Sequence, residues 1–363
     1  MIRKFILYKA FPAIAMLLLS FVTVFKGIIF LIIALVLVSP YLCRKMPAIK
    51  RNKDVLSFFI LVFVGSILNL INTHNGIGGT INFIVSISVA LFCIENINYS
   101  RYFVLFLCLY TIYFIYNNVF VLSENIEKVF DDVGLSKNYP GFIMVACCCY
   151  WSSFKYVTNR EMSIILPILC TVFTFFLDGR SSLGIMFMLS MYCLFIKFKQ
   201  KIILFIMIII VVLSFYMDDI MTYYSLTNLS ESGMETARYK IWSAYIDNLD
   251  FTSFFFGLDT LCVPLLKNYG GNPHNAFLNF HYRMGILGLF GLIFIIFKST
   301  IKLLKNKSYV LLVFLLFLLG RIFFDACIGS STDYIIYAII LYPLFNSKMV
   351  HKKTLIMKIE KYI

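Results

Sequence analysis

The chain has 363 residues, 61% of them hydrophobic and 14% charged, with a mean hydropathy of +0.89. A globular domain carries about 25% charged residues to coat its surface, so soluble enzymes, nucleic-acid binders and disordered tails are excluded. The apolar runs are continuous instead of alternating, which excludes a β-barrel. The net charge of +14 is spread in short basic clusters between those runs, the pattern of cytoplasmic loops and not of a nucleic-acid surface.

Runs close to bilayer length predict an all-α, polytopic membrane protein, a single integral membrane domain over 1–363 with about 12 transmembrane helices. In order the spans fall near 5–24, 27–43, 55–73, 80–97, 102–122, 141–157, 162–177, 183–198, 202–217, 278–297, 308–324 and 333–347. The first is interrupted by Lys9 and lacks a small-residue cleavage site, so it reads as a span and not as a signal peptide. Twelve spans put both termini on one side. That side then holds 23 of the 32 Lys and Arg but four of the 18 Asp and Glu, which places both termini in the cytoplasm. Most cysteines, including the Cys147-Cys148-Cys149 run, lie in apolar stretches as small hydrophobes. No Cys/His spacing suggests a metal, and none is expected.

Two external segments stand out, 123–140 and the large loop 218–277. In the latter, Ser232 to Glu235 forms a capping-box pattern that predicts a helix through about Leu249. Arg238, Ile241, Trp242, Tyr245 and Leu249 would share one face of it. The Asn228-Leu-Ser230 triplet is a formal glycosylation sequon.

Charged residues at membrane depth or on the charge-depleted side need a reason. Arg180 lies in the very short turn Asp178-Gly-Arg-Ser-Ser182. It is either a snorkelling turn residue or, with Ser181 and Ser182 at the next helix start, an anion site. Arg238 precedes Trp242 by one turn; the tryptophan is a sugar-stacking platform or an interfacial anchor. His274 stands in Asn272-Pro-His-Asn just before the chain re-enters the membrane, and His281 follows at i+7. Arg321 and Asp325, at i and i+4, are a candidate intramembrane pair. Arg283 is a candidate snorkelling residue at the start of the tenth span.

Together these patches resemble the bacterial O-antigen polymerase and ligase (Wzy/WaaL-like) superfamily of polytopic membrane glycosyltransferases. His274-Asn275-x-x-Leu278 followed by Gly285-Ile-Leu-Gly288-Leu is similar to that family's loop-to-span signature. The Gly179-Arg180-Ser181-Ser182 turn resembles its Ser-Arg-Gly-type motif, with Gly before the arginine and Ser after it. Arg238-x-x-x-Trp242 resembles its Arg-x-x-x-Trp element.

The resemblance implies polymerisation of undecaprenyl-pyrophosphate-linked oligosaccharide repeat units on the outer face of the cytoplasmic (inner) membrane, as in lipopolysaccharide O-antigen synthesis. The alternatives are an O-antigen ligase delivering polymer to lipid A–core and, from another class, a lipid-linked oligosaccharide flippase. It implies Arg180, Arg238 and His274 as catalytic, and Ser181, Trp242, Asn275, Arg283 and Arg321 as substrate contacts. His274 is a general base or a pyrophosphate ligand. Two arginines suit a pyrophosphate leaving group without a divalent metal. No cofactor is expected, and the partners are the lipid-linked donor, the bilayer and a chain-length regulator protein, with no nucleic acid.

Overall fold

The structure, a computed structural model, describes residues 9–19, 28–72, 76–122, 138–177, 180–199, 237–324 and 332–345, and every regular element among them is helical. In chain order these are α1 (Lys9–Leu19), α2 (Ile28–Arg51), α3 (Lys53–Asn72), α4 (Gly76–Glu95) and α5 (Ile97–Ile115). There follow α6 (Asn138–Asn159), α7 (Ile165–Phe175), α8 (Arg180–Phe198), α9 (Ala237–Asp247), α10 (Phe251–Phe256) and α11 (Pro264–Asn268). The last three are α12 (Ala276–Lys305), α13 (Tyr309–Phe323) and α14 (Asp333–Phe345). The expected span 202–217, the sequon at Asn228, the Ser232–Glu235 cap, Asp325 and the acidic stretch 123–137 lie outside the described residues.

Six of the helices are long and apolar enough to cross a membrane: α2, α3, α4, α5, α8 and α12. This makes the chain a multi-pass membrane protein. Four others, α1, α7, α13 and α14, are apolar but shorter. At ~1.5 Å per residue the 11 residues of α7 reach only ~17 Å, about half of a ~30 Å bilayer core. Two helices outrun their expected limits. α2 continues through Pro40 and Pro47 to a basic end at Lys50 and Arg51, where a loop was expected. α12 starts at its Asn275 cap and runs, with an interruption at Gly285, to Lys305.

Burial sorts the helices into two kinds. α6 is buried without interruption from Pro140 to Tyr150, and α14 from Asp333 to Pro343. A helix apolar all round is a core helix, and α4 joins these two at the centre. α2, α3, α5, α7 and α8 surround them and turn large apolar side chains outward, such as Ile29, Phe63, Phe106, Ile165 and Phe187. In a membrane protein that is the lipid-facing belt.

α3 packs closely along α12 because both are small at the contact. A Cβ on Gly65 would run into the Met284 carbonyl and the Gly288 nitrogen, and one on Gly291 would lie 3.1 Å from Leu61 Cβ. Small residues let membrane helices approach backbone to backbone.

Candidate functional site

The site candidates gather at one end of the bundle, where α6, α8, α12 and α14 begin and α13 finishes; we call it the Arg180 end. Its hub is the last turn of α13. Arg321 there is fully buried, an expensive position for a charge that must be answered by fixed partners. Its Nε donates to Ser182 Oγ at 2.9 Å and its Nη2 to the Asn138 carbonyl at 3.0 Å, and the guanidinium lies 5.9 Å from the Phe142 ring. Gly141 makes this possible, since a Cβ on it would sit 2.5 Å from Ser182 Oγ. The Arg321–Asp325 pair lies outside the described residues; two other helices hold the arginine. Nearby, Tyr139 and Thr332 share a hydrogen bond of 3.2 Å, and Asp333 opens α14 fully buried.

Arg180 is the first residue of α8, two positions before the serine that holds Arg321. Ser181 Oγ is enclosed and has no hydrogen-bond partner among the described residues.

Two residues further along α13, Phe323 meets Trp242 edge-on at 5.4 Å and Phe277 at 6.3 Å, while Phe324 stacks on Trp242 at 6.5 Å. Trp242 sits on α9 one turn after the half-buried Arg238. The expected face is real: Ile241 and Tyr245 are buried, Leu249 packs beside them, and Lys240 is exposed. The indole N–H of Trp242 is also enclosed without a partner among the described residues. Ser181 and Trp242, two of the five candidate substrate contacts, thus keep enclosed polar atoms that the described residues do not pair, as do several other residues such as Ser86, Ser152 and Ser299.

His274 is half-buried with a left-handed backbone (φ 48°), stabilised where its N–H donates to Asn272 Oδ1 at 2.8 Å. Its ring stands edge-on to Tyr269 at 5.9 Å. Asn275 caps α12, its side-chain oxygen accepting from the N–H groups of Phe277 and Leu278. That oxygen is committed to structure. Arg283 is half-buried, its Nε donating to Asn279 Oδ1 at 3.3 Å and its stem lying against Gly79 of α4.

The Gly-x-x-Gly-Leu element does something the sequence does not announce. Gly285 has φ 62° and ψ −173°, so α12 is broken inside the membrane-crossing stretch. α10 fills the break, and a Cβ on Gly285 would lie 2.5 Å from the Phe255 carbonyl. Asn69 of α3 donates to the carbonyls of Phe256 (2.6 Å) and Tyr282 (2.8 Å). His281 Nε2 donates to the Phe254 carbonyl at 2.7 Å, so its Nδ1 accepts from the Tyr245 hydroxyl at 2.7 Å in the neutral ring. His281 thus ties α9 and α10 to α12. Burial pushes the Tyr245 phenol above its ordinary range, whereas hydrogen bonds from Ser253 hold the exposed Asp250 carboxyl below its own.

Asn69 and Asp333 were not among the candidates, and His281 was noted only for its i+7 spacing from His274. An Asn inside the apolar run 55–73 was the available signal for the first. As to metals, Cys108, Cys148 and Cys170 bring three buried thiols within 4.8 Å of one another, a grouping that holds no carboxylate or imidazole. A metal there would bury thiolates without a counter-charge, so the cluster reads as packing between α5, α6 and α7.

Compared with known proteins, the chain matches no family model, no curated protein sequence and no solved structure.

Proposed function

We propose that the chain is a surface-polysaccharide polymerase of the O-antigen type, with about twelve spans, both termini cytoplasmic and the Arg180 end facing outward. A single observation carries the reading. Within four residues, 321 to 324, the end of α13 touches the Arg180–Ser182 turn, the Trp242 helix and the first turn of α12 behind His274. Three motif segments far apart in the chain are thereby brought to one place.

In this reading a sugar hydroxyl of one lipid-linked unit attacks the anomeric carbon of another. The hydroxyl loses its proton, the new C–O bond forms, the bond to phosphate breaks, and undecaprenyl pyrophosphate leaves. Charge grows on that leaving group, and guanidinium groups from two segments, Arg180 and Arg238, stabilise it most where it grows. His274, at the loop-to-helix junction, takes the proton or binds the pyrophosphate. Ser181 and Trp242 supply unspent donors for oxygen-rich ligands, and the Trp242 face is a stacking surface for a sugar ring. Arg321 holds Ser182 beside Arg180 and, with Arg283, remains a candidate substrate contact. The transfer needs no divalent metal.

The broken helix α12 favours a second reading, a lipid-linked oligosaccharide flippase, since transporters bind substrate at interrupted helices. Here, however, α10 and Asn69 fill the break. The two readings separate in a deletion strain's surface polysaccharide. A polymerase deletion removes the ladder and keeps single repeat units. A flippase deletion removes every unit. Loss of all units with lipid-linked polymer accumulating means a ligase.

A further inference from the structure

The depth at which α10 sits follows from the pairing of α3 with α12. At the opposite end of these helices Lys298 Nζ and Asp54 Oδ1 pair at 3.0 Å, both more than a third exposed, beside Lys53 and Arg51. That pair marks a polar boundary of the membrane. Gly285 lies thirteen residues along α12 from Lys298, about 20 Å at ~1.5 Å per residue. A bilayer core is about 30 Å thick, so Gly285 lies ~10 Å beneath the other boundary. The α10 backbone packs directly on Gly285.

A segment at that depth faces two demands, and α10 meets them on the face that carries its phenylalanines, while Thr252 and the capping Asp250 are exposed polar groups at its first turn. Its backbone polar groups must be satisfied by protein, since lipid offers no partner. The Phe254 carbonyl takes His281, the Phe256 carbonyl takes Asn69, and the Ser253 carbonyl takes the Gly257 N–H. At the other end Asp250 and Ser253 close a reciprocal capping box. Its outward side chains must be apolar. Phe251, Phe254 and Phe255 are 82%, 44% and 41% exposed, on a loop that would otherwise show water three phenylalanines in six residues. The two helices beneath it, α3 and α12, show Ile67, Leu70, Phe290 and Ile293 outward, so the patch continues their lipid-facing belt.

We propose that α10 is a re-entrant helix whose Phe251, Phe254 and Phe255 face the acyl chains of the bilayer leaflet at the Arg180 end. The loop is then a membrane-embedded wall beside the site, not a domain held in water above it. This does not depend on the transferase reading.

The test places a nitroxide at Phe251→Cys or Phe255→Cys, with Cys43, Cys262 and Cys327 changed to Ser, in phosphatidylethanolamine–phosphatidylglycerol vesicles. Collision with oxygen is compared with collision with a water-soluble nickel chelate. Phe290→Cys on α12 is the lipid control and Lys267→Cys on α11 the aqueous one. The oxygen-to-nickel ratio is expected within a factor of about two of the Phe290 label and several times that of the Lys267 label. Ratios like that of Lys267 would overturn the proposal in favour of an aqueous loop. Labels shielded from both reagents would overturn it in favour of a second protein surface. Phe251→Trp gives a label-free reading of the same point: quenching by acyl-brominated lipid beyond that of the native Trp151 and Trp242 if the proposal holds, and none beyond it if the proposal fails.

Discussion

From Ile286 to Lys305, α12 lies on α3 through glycines and presents Phe290, Ile293 and Phe297 outward. From Ala276 to Met284 the same helix buries Asn279 and His281, carries Arg283, and receives α10 at its broken end. The first part is a membrane helix solved by length, hydropathy and the close glycine contact with α3. The second is solved by partners: Asn69 from α3, Tyr245 from α9 and a carbonyl from α10. The contrast teaches that the lipid-facing part tolerates any apolar residue of fitting size, while the part near the site depends on individual polar atoms.

The largest expected effect comes at the junction. Gly285→Ala places a Cβ 2.5 Å from a backbone carbonyl at a φ that favours glycine. It should destabilise the protein by ~2–5 kcal/mol, lowering the thermal midpoint in detergent or abolishing monodisperse protein. Gly78→Ala, with nothing within 4 Å, should stay within ~0.5 kcal/mol of the parent. Equal behaviour of the two would remove the break as a structural constraint.

A smaller effect is expected at Arg321. Lysine keeps the charge but cannot hold Ser182 and the Asn138 carbonyl together as a planar fork does. Arg321→Lys should cost ~1.5–3 kcal/mol in thermal unfolding. An unchanged midpoint would mean that α6 and α8 do not rely on this residue. The smallest is the tie between Tyr245 and His281. Tyr245→Phe and His281→Gln, singly and together, should show a coupling of ~1 kcal/mol in a double-mutant cycle. Additive effects would detach the loop helices from α12.

The same contrast explains what the sequence made legible. The spans matched by α3, α4 and α8 and the lipid-facing belt follow from composition, because the bilayer selects on length and apolarity. The buried face of α9 was legible too, because Ile241 and Tyr245 recur at helical spacing. What escaped is pairing at long range. Asp325, the expected partner of Arg321, lies outside the described residues, and the partners seen are the Ser182 hydroxyl 139 residues away and the Asn138 carbonyl 183. Neither partner leaves a local pattern. A backbone carbonyl in particular carries no residue identity to read. Gly285 was visible as part of a motif, yet only backbone angles reveal that it interrupts α12. The N-cap that Asn275 Oδ1 makes for α12 was not legible in the Asn-x-x-Leu string, since its partners are backbone N–H groups.

The central claim is that Arg180 and Arg238 act together on a pyrophosphate leaving group at the end of α13. Its most direct test is polymerisation of a lipid-linked repeat unit by purified protein in EDTA, comparing Arg180→Lys, Arg238→Lys and the exposed Lys240→Ala. The account predicts full activity for the parent and for Lys240→Ala, with both arginine-to-lysine variants clearly impaired at normal folding, since an ammonium keeps the charge and loses the bidentate fork. Normal-length polymer from both lysine variants, or parent activity that is lost in EDTA and restored by magnesium, would contradict it.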